Sequence, residues 1–274
     1  MKIKSHICCP YSEELASELK KRRISFNGSS DPLTGASELI VFDAVGLEDR
    51  TFLPPDTVII DSPVFTRREL EAADWLTCRC TSAKVELENE EASFYCTEVY
   101  DGGAKANHRF LSGRPFYAGS APKHRETQGF FSSYLLSDYQ LFCSERAKGA
   151  LLSSFPELAV SFEPVLSSKT GKPLGDLYYI NVQSILRQPI DLSGSEEYRC
   201  PSCGRVSYGE PMQLKVKGEL PDASLTMLKT PDLFSSGGNF IYPMLLVSQS
   251  LKRVLEKNRL TRGLIFAPVA RFGE

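Results

Sequence analysis

The chain is short of the residue types that chemistry most often uses. Its 274 residues include three histidines, His6, His108 and His124, and one tryptophan, Trp75. Neither His108 nor His124 has a nearby partner at a metal-ligand or triad spacing, and nothing in the pattern argues for a catalytic constellation. A strong excess of one charge is also lacking. The 32 Lys and Arg against 34 Asp and Glu leave a net charge of −2, which gives no field suited to nucleic acid. No apolar run reaches the length of a membrane span, and the opening "MKIKSHICC" lacks the apolar core of a secretory signal. A cytoplasmic location is therefore expected. A composition 42% hydrophobic and 24% charged, with 19 Gly and 17 Pro, excludes disorder and fits a globular protein of one or two domains.

Against these shortages stand eight cysteines, which a reducing compartment keeps as thiols or metal ligands. In "YRCPSCGRVSYGEP", Cys200 and Cys203 flank a turn shaped by Pro201 and Gly204, which is half of a tetrahedral site. The upstream pair in "LTCRCTS", Cys78 and Cys80, is the candidate for the other half, with Cys96 as a possible substitute. The expectation is a structural zinc on Cys78, Cys80, Cys200 and Cys203. Four thiolates would leave no open position, so a catalytic zinc is not expected. The alternative is that these cysteines are small buried residues. In "CCPYSEEL", Cys9-Pro10-Tyr11-Ser12 sits where a strand passes into a helix, the setting of a glutaredoxin-like thiol with a lowered pKa. No Thr-Val-Pro accompanies it. The alternative is a strand-to-helix turn capped by Ser12.

Periodicity divides the chain. Over residues 1–74 the pattern predicts a small α/β segment. "KIKSHIC" and "ISF" read as strands around a helix "SEELASELKKRR", and "ELIVFDAV" and "TVIIDS" read as buried strands. A helix "TRRELEAADWL" capped by Thr66 follows. Beyond it, "AKVELE" and "ASFYCTEVY" alternate as a meander, with its turn at Glu88–Glu91. "SKTGKPLGD" reads as a hairpin turn.

An internal repeat is the most informative feature. Residues 141–165, "LFCSERAKGALLSSFPELAVSFEPV", align without a gap to 245–269, "LLVSQSLKRVLEKNRLTRGLIFAPV". With one inserted residue, "FSS" at 131–133 also matches 234–236, which extends the copies to 131–165 and 234–269. Each reads strand, Ser cap, helix, strand. Ala147, Ala150 and Leu151, and likewise Leu251, Val254 and Leu255, fall at i, i+3, i+4 and bury one face. Cys143 matches Val247 and so reads as core. The fold class expected is α+β, with duplicated strand–helix–strand units on mainly antiparallel sheets and the copies side by side around one sheet.

"CPSCGR", "DLFSS" and the C-terminal repeat resemble the double-CXXCG proteins known from myxobacteria. The stretch from "LFCSERAKGALL" to "LYYINVQSILRQPIDL" is similar to the related family 11 immunity proteins of bacterial toxin systems. The resemblance covers about residues 75–274, and Cys78-Arg79-Cys80 departs from its C-x-x-C-G pattern. It implies an antitoxin, a cytoplasmic protein that binds and neutralises one cognate protein toxin and carries no catalysis of its own. Loop aromatic and arginine residues are the usual anchors of such contacts. Arg109, Arg114, Phe116, Tyr117, Arg125, Phe240 and Tyr242 are the candidates, with local core packing as the alternative for each.

Overall fold

The computed structural model describes residues 2–30, 38–47, 49–81, 84–88, 93–96, 108–111, 115–122, 128–133, 138–200, 204–222, 225–235 and 241–273. Its contacts divide the chain into two units, Met1–Arg67 and Arg68–Glu274, so the boundary falls before the expected position 74.

Alternation along one strand decides the first unit. In β1 (Lys2–Pro10), Ser5, Ile7 and Cys9 are buried while Lys2, His6 and Pro10 are exposed. Helix α1 (Glu13–Lys21) lies on the buried side through Leu15, Ala16 and Leu19. Each such aliphatic side chain contributes about 1.5–3 kcal/mol. Ser12 caps the helix, its Oγ accepting from the Leu15 N–H at 3.1 Å. Glu13 and Glu14 in the first turn and Lys20 and Lys21 in the last complement the helix dipole. Strands β2 (Phe26–Ser30), β3 (Glu38–Val45) and β4 (Val58–Val64) complete a sheet of order β2-β3-β1-β4. All three of its pairings are antiparallel, so the expected α/β arrangement is corrected to α+β. Helix α1 crosses from β1 to β2, which run in the same direction, but β3 lies between them antiparallel to both, so no neighbouring pair is parallel. Nor is β4 buried as its apolar run predicts, because it is an edge strand with one open face.

The second unit begins within helix α2 (Arg67–Ala72), which stops short of Trp75. Trp75 and Leu76 instead open strand β5 (Trp75–Cys80), where both are fully buried. Short strands follow: β6 (Lys84–Val85), β7 (Ser93–Cys96), β8 (His108–Leu111), β9 (Tyr117–Ala118) and β10 (Phe130–Ser133). Strand β11 (Phe142–Ser144), helix α3 (Glu145–Ser154) and strand β12 (Val160–Ser167) come next. The exposed turn 168–172 then leads into β13 (Pro173–Val182). Strands β14 (Glu197–Arg199), β15 (Val206–Gly209), β16 (Lys215–Val216) and β17 (Met227–Ser235) lead to β18 (Tyr242–Ser248). Helix α4 (Gln249–Lys257), β19 (Leu264–Pro268) and β20 (Ala270–Arg271) end the chain. Among the described residues the two stretches of the expected meander do not pair with each other. β6 pairs in parallel with β10, and β7 pairs with β8.

Two six-stranded sheets result, in place of the one sheet expected. Their orders are β6-β10-β11-β13-β12-β9 and β14-β15-β17-β18-β5-β19. Ser144 and Ser248 cap α3 and α4 through the amides of Ala147 and Leu251. Ala147, Leu151, Leu251 and Leu255 are buried in one continuous core that draws on both sheets, and Ala150 packs against it from a partly buried position. The "FSS" correspondence is corrected by the pairing. Phe131 lies opposite Phe142, whereas Phe234 lies opposite Tyr242, beyond an irregularity at Lys229–Leu233 that shifts the longer strand. The residue opposite Leu246 is Leu228.

Candidate functional site

The thiols come first, because the sequence assigns them chemistry. Cys78 and Cys80 stand two apart on β5 and are buried in the main core. Burial, then the neighbouring Cys80, pushes the Cys78 thiol up, which favours the neutral form. Cys200 is also buried but lies outside that core cluster. Its turn is closed by the Gly204 N–H donating to the Cys200 carbonyl at 2.9 Å, and by the Cys200 N–H donating to Arg205 at 2.9 Å. Cys203 lies outside the described residues, as does the side chain of Cys96. Among the described residues no three His, Cys, Asp or Glu side chains gather as a metal site.

Cys9 does not have the environment its motif implies. It is 1% exposed and lies beneath α1, with its Sγ 3.7 Å from the carbonyl of Ile40. Burial, then Cys8, raises its pKa, the reverse of the shift an attacking thiolate needs. Cys143 is fully buried, and burial raises its pKa as well, as a core position requires.

The partner candidates separate by burial. Phe116 is 4% exposed and packs edge-on to Phe142 with ring centroids 5.6 Å apart, so it covers the sheet and is not displayed. Tyr242, 3% exposed, is corrected in the same way. Tyr117 is half-buried on β9. Arg109 lies on β8 with its side chain outside the described residues, and Arg114, Arg125 and Phe240 are wholly outside them.

Tyr242 belongs to a polar cluster that sequence reasoning missed. Its hydroxyl donates to Glu210 Oε2 at 2.8 Å, and the Tyr139 hydroxyl donates to Oε1 at 2.7 Å. The two rings stack with centroids 5.6 Å apart, and Arg79 Nη1 lies 3.7 Å from Oε1. Burial, then the carboxylate's charge, pushes the Tyr139 hydroxyl well up, so it stays a donor. Both carboxylate oxygens are thereby engaged, and the cluster ties together four segments far apart in sequence. Beside it a cavity of about 240 Å³ is walled by Tyr139, Leu141, Tyr179, Asn181, Lys229 and Pro243. No sequence signal pointed to the cluster, since its members are scattered along the chain.

The other exposed feature is the outer face of the first unit's sheet. Register places three rows on it: Val41–Cys8–Val58, Asp43–His6–Ile60 and Val45–Lys4–Ser62. Val45, Val58, Ile60 and Val64 are 56%, 59%, 57% and 38% exposed. At its centre Asp43 accepts from Lys4 at 2.7 Å and from His6 at 2.8 Å, and these bonds, with that of Lys4 first, hold its carboxyl below the usual range. Four large aliphatic side chains around a small ionic cluster have the composition of a contact surface. Compared with protein-family models and with curated proteins, the chain matches none. Among the described residues no helix is long and apolar enough to cross a membrane.

Proposed function

We propose that the chain is an immunity-like protein that neutralises a cognate bacterial toxin by protein–protein contact, with the strand–helix–strand duplication as its scaffold. The observation that carries this reading is the open aliphatic face of the first sheet. Val58 and Ile60 are more than half exposed on an edge strand, where an isolated soluble sheet would place polar residues. Contact chemistry also agrees with the thiols, since Cys9, Cys78 and Cys143 all have raised pKa values. The test is co-expression with the toxin encoded beside this gene, using the full chain and its Ile60→Glu variant. Protection and a co-purifying complex are expected for the native chain, and loss of both for the variant with its fold unchanged. An Ile60→Glu variant that protects as well as the native chain removes this face from the reading. No protection by the native chain removes the reading itself.

A second reading keeps a structural zinc on Cys200 and Cys203. It is favoured by the closed turn around Cys200, in which Gly204 adopts φ +68°. Elemental analysis tests it: zinc in the native protein and none in Cys200→Ser is the expected result, and an equal content in both refutes it.

A further inference from the structure

The two sheets share five strand positions, and their central strands come from unexpected places. In the first sheet the central strand is β13, antiparallel to both β11 and β12. In the second it is β5, antiparallel to both β18 and β19. The gap-free alignment of 141–165 with 245–269 equates β11 with β18 and β12 with β19. Their partners can then be compared residue by residue.

From one side, Phe142, Cys143 and Ser144 face Tyr179, Tyr178 and Leu177, while Leu246, Val247 and Ser248 face Thr77, Leu76 and Trp75. From the other side, Phe162, Glu163 and Pro164 face Ile180, Tyr179 and Tyr178, while Phe266, Ala267 and Pro268 face Cys78, Thr77 and Leu76. Both neighbours therefore equate Tyr179 with Thr77 and Tyr178 with Leu76. A slip of one residue on either side would break the agreement, because it would turn every side chain to the opposite face. Burial agrees at four of the six positions: Leu177 and Trp75, Ile180 and Cys78, and Val182 and Cys80 are buried, and Asn181 and Arg79 are half-buried, while Tyr178 and Tyr179 are half-buried where Leu76 and Thr77 are buried. Next along each sheet, the amide of Ser144 donates to Gly129 at 3.0 Å and that of Ser248 to Thr226 at 2.9 Å. The outer strands β6 and β15 both pair in parallel with the next strand inward.

Chain order then matters. β5 precedes the first copy of the repeat but lies in the second copy's sheet. β13 precedes the second copy but lies in the first copy's sheet. We infer that residues 75–167 and 173–268 are two copies of one unit that have exchanged their first strands, so that the second unit of the chain is a covalently joined, strand-exchanged pair. Exchange of an identical element between two copies joins them without inventing a new interface, because the slot each strand enters was shaped for its equivalent. The partner surface of each half, the slot between β11 and β12 or between β18 and β19, is one that fits a strand of its own kind. Without the exchanged strand, each half would leave the facing edges of two strands unpaired in a buried sheet. This inference rests on the duplication proposed above and is independent of toxin binding.

The test uses the full chain. In one variant Leu177–Val182 is replaced in register by the β5 sequence, Trp-Leu-Thr-Cys-Arg-Cys. In a second, the same six residues are inserted one position out of register. The in-register variant is expected to keep a single cooperative urea transition at a lowered midpoint, and the shifted variant to lose it. If the in-register graft is no more stable than the shifted one, β5 and β13 are not equivalent and the inference fails. Because a graft can fail through size alone, a second arm introduces a specific protease site in the exposed turn 168–172. After cleavage the two pieces are expected to elute together with the emission of Trp75 unchanged, since its strand is held by the C-terminal piece. Pieces that separate in native buffer, with Trp75 emission shifted to that of a solvated indole, overturn the exchange. Neither arm reads toxin neutralisation.

Discussion

Replacing Glu210 by methionine should destabilise the second unit more than any loss of surface charge could. Methionine keeps the length of the side chain and excludes water but accepts no strong hydrogen bond. The hydroxyls of Tyr139 and Tyr242, on residues 7% and 3% exposed, would then lose the carboxylate oxygens to which they donate at 2.7 and 2.8 Å. A hydrogen bond to a charged group contributes about 1.5–3 kcal/mol, so losing the two costs about 3–6 kcal/mol. The sign of the next step is the sharper test. Adding Tyr139→Phe and Tyr242→Phe to Glu210→Met removes the two hydroxyls whose acceptor was lost and should restore part of the lost stability, although it deletes two more polar groups. Urea unfolding followed by Trp75 fluorescence is the assay, because the only tryptophan is fully buried in β5 and reports this unit. A Glu210→Met variant within about 0.5 kcal/mol of the native protein, the range of ordinary surface changes, would refute the reasoning. So would a triple variant no more stable than Glu210→Met.

Two further expectations concern the first unit. Asp61 accepts from Ser5 at 2.6 Å and from Arg50 at 2.9 Å, and its carboxyl is held below the usual range, chiefly by the Ser5 bond. A lowered folded pKa means stability that is present above the unfolded value of about 3.9 and lost as pH falls through the folded one. Amide exchange of β1 and β4 should therefore quicken below about pH 4 in the native chain, relative to Asp61→Asn at the same pH, and parallel pH profiles would contradict this. Cys9 should resist iodoacetamide in the native chain at neutral pH and react after unfolding, as mass spectrometry of its peptide would report. Native-state alkylation at the rate of a solvent-exposed thiol would restore the redox reading.

Local signals were legible where one residue type has one physical job. Ser12, Ser144 and Ser248 cap the three helices they were expected to cap, because a hydroxyl before an amphipathic run has few other roles. Buried faces at i, i+3, i+4 were legible for the same reason. Strand partners were not. "AKVELE" and "ASFYCTEVY" look like a hairpin because alternation shows which face is wet and says nothing of the neighbour. The burial of the cysteine pair on β5 was not legible because a short Cys-x-Cys reads alike on a loop and on a buried strand. The Tyr139–Glu210–Tyr242 cluster was invisible because its members come together only when the sheets form. The open face of β4 was missed because "TVIIDS" has the composition of a core strand, and only its place at the sheet's edge leaves Val58 and Ile60 uncovered.

The pairing of β5 with β18 and β19 also sets a schedule for synthesis. Trp75 and Leu76 leave the ribosome about 170 to 190 residues before their partners Val247, Ser248 and Pro268. At about 5–20 residues per second, an apolar strand waits on the order of ten seconds or more before it can be covered. During that interval the nascent chain carries an unpaired strand alongside a newly made slot of matching shape between β11 and β12. Until β13 arrives, β5 is the strand at hand to occupy that slot, so the order of translation sets the time available for the exchange to be made.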